Sequence, residues 1–351
     1  MKKLDKNFLQ NMQKVLIVTF DGIGDMVVTT PFFREIKKLF PQIQIDVLAH
    51  NRNYKIIENN LYISNIYFYD SRKSWGFETL KILKNRKYDL LINLWRRQSL
   101  HVLFRTFFIG AKINIGLEKV GNKKLLNFIE NSSKLYYFTL PQNLENNQDI
   151  HLTDRFFKLF ELFDIDSSQL NKNYELFLSE SYKLKAEKEI SEIKNNFKLI
   201  GINYHGTSKR NTLSKDKVTE ILKEALSSVL DAIFIIFWTP PIFDEVSEIK
   251  ENLNSERVIL SPKTADILEA STLMEHLDLL ITTGTASMNI GSALNKKMVI
   301  IHSKNTGFEE FYPRMESKYQ VVFSEDRRVF NGNFSTKDVI KNIIELIKDD
   351  K

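Results

Sequence analysis

The chain has 351 residues, a formal net charge of +6, 43% hydrophobic and 27% charged residues, and no cysteine. That balance belongs to an ordinary globular protein with enough chain for two cores, and it excludes a disulfide scaffold, a cysteine-ligated zinc site and a thiol nucleophile. Met1 to Gln13 is polar and lacks the apolar stretch of a secretory signal, and no apolar run approaches the roughly 20 residues that span a bilayer, so a cytoplasmic location is expected. The modest positive charge permits an anionic partner without requiring nucleic acid.

Val15 to Phe20 is a β-branched apolar run, the pattern of a strand buried on both faces. Asp21-Gly22-Ile23-Gly24-Asp25 interrupts it. From Met26 onward Val27, Thr30, Phe33, Ile36 and Phe40 recur near helical spacing, which predicts a helix beginning just after Asp25 with Pro31 in its first turns. Strand, glycine turn and helix make the opening unit of a doubly wound sheet, with the turn at the carboxyl end of the strand, where such sheets bind ligands. Two familiar phosphate loops do not fit: Val27 stands where a dinucleotide fingerprint needs its third glycine, and no lysine follows Gly24. What the turn offers is Gly24 and the Asp25 carboxylate, which reads either as a helix cap or as a general base held in a cleft.

Further along, the spacing predicts strands over Ile43–Ala49, Asn65–Tyr69 and Tyr88–Trp95 and helices over Asn53–Asn60 and Phe77–Asn85, the alternation of a parallel sheet covered on both faces. In 96–127 the cations Arg96, Arg97, Arg105, Lys112, Lys119, Lys123 and Lys124 interleave with Leu100, Phe104, Phe107 and Phe108. This reads as an ordinary amphipathic helix and loop, or as a basic apolar face for an anionic lipid head group or membrane surface. Polar tracts at Gln142–Gln148 and Asp164–Asn173 flank the amphipathic Leu152–Phe163, so residues 1–175 and 176–351 are expected as two domains with a hinge near 165–185.

The second half restarts the pattern. Lys198–Tyr204 is a buried strand ending in His205-Gly206-Thr207-Ser208-Lys209-Arg210, and a helix from Lys215 follows Ser214, its N-cap. Hydroxyls, backbone N–H groups and a cation from Lys209 or Arg210 suit a diphosphate; a solvated basic turn is the plainer alternative. After the strand Ala232–Trp238, Asp244 or Glu245 is placed either to accept from ribose hydroxyls or to serve as first-turn helix charge. Leu277–Thr283 is a strand, and Gly284-Thr285-Ala286-Ser287-Met288-Asn289 is a small-residue turn into a helix whose first N–H groups can meet phosphate. The six histidines have no metal-ligand spacing and no Asp-x-Asp precedes a strand end, so metal-independent chemistry without a cofactor is expected.

The Gly22-x-Gly24-Asp25 turn followed by Met26-Val-Val-Thr-Thr-Pro31-Phe-Phe-Arg-Glu-Ile-Lys closely resembles the opening of the glycosyltransferase family 9 enzymes, the ADP-heptose heptosyltransferases of lipopolysaccharide core assembly. The resemblance implies a GT-B fold of two Rossmann-like α/β domains facing each other across a cleft, with the last helix free to return to the first domain. It implies Asp25 as catalytic base in an inverting transfer to a hydroxyl. Gly24, Thr207, Ser208, Lys209, Arg210, Asp244, Thr285, Ala286, Ser287, Met288 and Asn289 would bind an ADP-sugar donor. Arg96, Arg97 and Arg105 would meet an anionic glycolipid acceptor, with peripheral contact at the inner membrane. The chain departs from the family pattern at Leu213, where Trp is usual, and at Gly284 and Asn289, where Asp and His are usual. Another nucleotide sugar, a protein acceptor, a nucleotide-sugar epimerase and a non-catalytic member remain the alternatives.

Overall fold

The computed structural model describes residues 3–19, 21–69, 76–94, 100–117, 135–138, 151–194, 196–206, 208–304 and 308–348. The chain divides into two units, Met1–Lys172 and Asn173–Lys351. The first comprises α1 (Lys6–Asn11), β1 (Lys14–Val18), α2 (Ile23–Leu39), β2 (Gln44–His50), β3 (Asn65–Tyr69), α3 (Phe77–Asn85), β4 (Leu90–Asn93), α4 (Leu100–Ile109), β5 (Ile113–Leu117), β6 (Leu135–Phe138) and α5 (Leu152–Phe157), which runs into a 3₁₀ turn over Lys158–Phe163. Its strands are all parallel, in the order β3-β2-β1-β4-β5-β6. The chain winds outward from β1 to β3 and then returns to β4 on β1's other side, so the carboxyl ends of β1 and β4 form the switch point of the sheet.

β1 sits at the centre because Val15, Leu16 and Ile17 have no exposed surface, as a strand covered on both faces demands. The Asp89 carboxylate ties β1 to its neighbours. It accepts from the N–H groups of Gln13 at 2.8 Å and Lys14 at 3.0 Å and pairs with Lys112 at 2.7 Å. The fully buried Asp46 on β2 accepts from Tyr88 Oη at 2.7 Å, Asn65 Nδ2 at 2.8 Å and Gln44 Nε2 at 3.0 Å, so its burial is matched by partners. Burial and this bond push the Tyr88 hydroxyl pKa far above its usual range.

α2 is held by aromatic packing. Phe32 meets Phe160 at 5.0 Å and Phe157 at 6.3 Å between ring centres, and Phe40 meets Phe163 at 6.0 Å. Pro31 lies in the interior of α2 rather than in its first turns, because the helix runs from Ile23 to Leu39. A proline there cannot donate to the carbonyl four residues back. The Thr30 hydroxyl supplies the missing donor, reaching Val27 O at 2.7 Å.

The second unit contains α6 (Glu180–Lys194), β7 (Lys198–Asn203), α7 (Lys215–Ser228), β8 (Ala232–Ile236), α8 (Phe243–Leu253), β9 (Val258–Leu260), α9 (Ile267–Glu275), β10 (Leu279–Thr283), α10 (Ala286–Ala293), β11 (Met298–Ser303), β12 (Tyr319–Ser324) and α11 (Thr336–Lys348). Its parallel order, β12-β11-β10-β7-β8-β9, repeats that of the first sheet, with the switch point between β7 and β10. The terminal helix α11 buries Val339, Ile343 and Leu346 against α7 and the β10–β12 side of its own unit. Each unit is thus the doubly wound parallel α/β sheet that the strand–helix alternation predicts. No described helix is long and apolar enough to cross a membrane.

Candidate active site

At the carboxyl end of β1 the turn is built by hydrogen bonds from neighbouring strands. Thr19 N–H donates to Leu48 O at 3.1 Å, and the fully buried Asn53 donates from Nδ2 to Asp21 O at 2.9 Å while its Oδ1 accepts from His50 N–H at 2.9 Å. α2 then begins at Ile23, three residues before the periodicity predicts, which puts Gly24 and Asp25 inside its first turn. Asp25 Oδ2 accepts from Gly22 N–H at 2.9 Å, half of a capping box. The cap reading is therefore realised in the fold. The same bond holds the half-buried carboxylate in one orientation at the sheet's switch point, the placement that a base needs.

Of the acceptor-side residues, Arg105 is half-buried on α4, and Arg96 and Arg97 lie outside the described residues.

In the second unit two loops at the β7–β10 switch point are fastened to one another. Asn211 Nδ2 donates to Gly284 O at 2.9 Å, and Thr283 Oγ1 donates to Asn211 O at 2.6 Å. Gly206 N–H is satisfied by Thr212 Oγ1 at 3.1 Å. The approach is close enough to require glycine: a Cβ on Gly206 would stand 2.7 Å from Thr285 Cγ2. Ser287 Oγ is hydrogen-bonded to Thr285 Oγ1 at 2.8 Å and to Thr282 Oγ1 at 2.5 Å, so the hydroxyls form one chain at the start of α10. Ala286 and Ser287 open that helix, where N–H groups have no acceptor within it. Asn289 is 5% exposed, and its Oδ1 has no hydrogen-bond partner among the described residues, a site asking for a donor from a ligand or water. Ser208 caps the short turn Lys209–Asn211 by accepting from Arg210 N–H at 3.2 Å, and Ser208 and Arg210 are exposed. Thr207 lies outside the described residues.

Asp244 is exposed in the first turn of α8, the position of a helix charge. Its neighbour Glu245 is the carboxylate tied to the end of β7, accepting from the buried Tyr204 Oη at 2.7 Å. That bond and burial raise the Tyr204 pKa well beyond its usual range, first through burial.

The structure adds residues that periodicity does not reveal. Asn211, Thr212 and Thr283 fasten the loops; Thr283 ends a predicted strand, and Asn211 and Thr212 are marked in the sequence only by lying in the loop between the β7 strand and the helix that follows Ser214. Trp238 donates from Nε1 to Ser261 O at 2.8 Å and packs its ring 4.6 Å from that of Phe243, making an aromatic surface at the carboxyl end of β8 of the kind on which a nucleobase stacks. Among the described residues no three His, Cys, Asp or Glu side chains group to hold a metal ion.

Comparison with known proteins bears on this arrangement. The chain is 32% identical to lipopolysaccharide heptosyltransferase 3 of Escherichia coli over 98 residues, a stretch spanning 26% of this chain and 29% of that relative's length. In fold it matches a family 9 glycosyl transferase from Veillonella parvula with a TM-score of 0.81 at 17% identity, over 99% of this chain and 100% of that one. It also matches the E. coli ADP-heptose lps heptosyltransferase II with a TM-score of 0.75 at 15% identity, over 96% and 99% of the two chains. The sequence profile of glycosyltransferase family 9 (heptosyltransferase) matches residues 77–328, well over half of the chain, from α3 of the first unit past β12 of the second and including both fastened loops. The chain belongs to glycosyltransferase family 9.

Proposed function

We propose that this chain is an inverting, metal-independent glycosyltransferase that moves a heptose or related sugar from an ADP-sugar to a hydroxyl of a lipopolysaccharide core acceptor at the cytoplasmic face of the inner membrane. The observation that carries the reading is the fastening of the β7 loop to the β10 loop beside the opening of α10. Backbone N–H groups, hydroxyls and cations at a switch point suit a nucleoside diphosphate. Family membership supports glycosyl transfer. The names of the E. coli relative and of the E. coli structural neighbour support heptose, and the latter supports ADP.

In this reading Asp25 takes the proton from the acceptor hydroxyl as its oxygen attacks the anomeric carbon from the face opposite the diphosphate. The bond from that carbon to the diphosphate oxygen breaks, its electron pair leaves with ADP, and the configuration inverts. Thr207, Ser208, Lys209 and Arg210, with the backbone N–H groups of Ala286 and Ser287 at the opening of α10, offset the charge growing on the leaving group. Arg96, Arg97 and Arg105 pair with anionic groups of the acceptor. The test is Asp25→Asn in a transfer assay with ADP-heptose and a deacylated core acceptor. Loss of a positioned base costs about 10²- to 10⁴-fold in rate, with ADP affinity retained; a near-normal rate refutes the assignment.

A further inference from the structure

The loop that leaves β2 stands beside the turn that carries Asp25. β1 and β2 pair in parallel as far as Val18 and Leu48, so their carboxyl ends open on the same edge of the first sheet. β2 runs on to His50, and Asn51-Arg52-Asn53 then leads into a 3₁₀ turn, Tyr54–Ile57, that packs on α2. The loop is closed on itself by Asn53 N–H donating to His50 O at 3.1 Å, by His50 N–H donating to Asn53 Oδ1 at 2.9 Å and by Arg52 N–H donating to His50 Nδ1 at 3.1 Å. The Asn53 amide then donates to Asp21 O at 2.9 Å, which fastens the loop to the Asp21–Asp25 turn. Two side chains stand outside this scheme. Asn51 Oδ1 is buried and has no hydrogen-bond partner among the described residues, and the exposed Arg52 guanidinium makes no hydrogen bond or ion pair among them. Buried acceptors are as a rule satisfied, so an orphaned amide next to a lone cation is a seat for a ligand that brings both a donor and a negative charge.

We propose that the β2 loop is an acceptor subsite, in which Asn51 Oδ1 accepts from a hydroxyl of the acceptor sugar and Arg52 pairs with an anionic group carried near the reacting hydroxyl. This rests on the reading of Asp25 as the base. A base must be ionised to take a proton, and the turn holds two carboxylates, Asp21 and Asp25, within five residues. An anionic acceptor is repelled from such a turn unless a cation offsets the charge. Arg52 is the cation on the loop bonded to that turn, and a guanidinium pairs with a phosphate or a carboxylate through two parallel N–H donors. Asn53 joins loop and turn, so anion seat and base keep one spacing, and the acceptor is registered by its anion as its hydroxyl meets Asp25.

The experiment is calorimetric titration of the full chain and of its Arg52→Gln, Arg52→Lys and Asn51→Leu variants with a deacylated core acceptor, before and after its phosphates are removed, and with ADP as the control. Arg52→Gln should weaken binding of the core about 5- to 30-fold, the lower range for a hydrogen bond to a charged group because the guanidinium is exposed, with Arg52→Lys recovering part and ADP affinity unchanged. Asn51→Leu keeps the volume but removes the acceptor atom. It should weaken core binding about 3- to 10-fold, the cost of one neutral hydrogen bond, without lowering the melting temperature, since carbon replaces an orphaned polar atom. A loss in Arg52→Gln that vanishes with the dephosphorylated core identifies the anion as phosphate; one that persists identifies a carboxylate. Core affinity unmoved in either variant overturns the role given to that residue, and a melting temperature lowered in Asn51→Leu with core affinity unmoved shows a purely structural amide. These results leave Asp25 in place, because its test is a rate. A near-normal transfer rate in Asp25→Asn removes the base and this subsite together, and no binding of either core by the unaltered chain overturns the acceptor reading as a whole.

Discussion

Gly206→Ala tests the fastening of the two loops. The added methyl would stand 2.7 Å from Thr285 Cγ2, whereas ordinary contact begins near 3.4 Å, so one partner must yield by about 0.7 Å. Thr285 has little room to do so, because it is β-branched and its hydroxyl is bonded to Ser287 at 2.8 Å. The strain therefore falls on the loop, at the expense of the Asn211–Gly284 and Thr283–Asn211 bonds. Overpacking costs about 1–3 kcal/mol, and each neutral hydrogen bond lost adds about 0.5–1.5 kcal/mol, so a total of about 2–6 kcal/mol is expected in urea unfolding, with weakened binding of ADP. Thr285→Ser deletes the clashing methyl while keeping the hydroxyl. In the double variant Gly206→Ala/Thr285→Ser most of the overpacking should vanish, a coupling of about 1–2 kcal/mol. Additive effects, agreeing within about 0.5 kcal/mol as independent sites do, would refute the argument that these two atoms set the distance between the loops.

Two further perturbations test the frame that carries Asp25. Thr30→Val is nearly isosteric but leaves Val27 O in α2 without its hydroxyl donor; an unsatisfied buried acceptor costs about 1–3 kcal/mol, measurable by urea unfolding, and an unchanged midpoint would mean that water or a shifted helix replaces the bond. Asp89 carries a pH signature. Burial alone would raise its pKa, but Lys112 and the Gln13 and Lys14 N–H groups outweigh it and hold the carboxyl below the usual range. A folded-state pKa depressed in this way contributes stability above the unfolded value and loses it as pH falls through the folded value. Asp89→Asn should therefore be less stable than the natural chain at pH 7, with the gap closing below about pH 4, and a gap independent of pH would contradict the assignment.

Much of the architecture is legible in the chain because local physics enforces it. β1, β3, α3, β7, β8 and β10 are dense apolar runs or clear helical periods bounded by turn residues, and the structure holds each within a few residues of its predicted span. Short or irregular elements are not legible. β9 has only three residues, β12 lies at a sheet edge with mixed burial, β5 lies inside a segment read as helix and loop and β6 follows it, and α1 is polar. Each owes its form to strands or helices already in place, and one sequence window carries no record of those neighbours.

The sequence by itself determined the two strand–glycine–helix units, the carboxylate in the glycine turn before the first long helix and the small-residue opening of α10, since these follow from which side chains can be buried and which backbone can approach a ligand. Only the tertiary structure decided that Asp25 closes a capping box, that Thr30 makes Pro31 tolerable, that Glu245 rather than Asp244 is tied to the end of β7, and that His302 fills the space beside Gly284. Gly284 and His302 are 18 residues apart in the chain and become neighbours only because parallel pairing of β10 and β11 sets their strand ends side by side. Periodicity records which face of an element is buried; the partner across a register is set by the fold, and in this protein that register sets His302 beside Gly284.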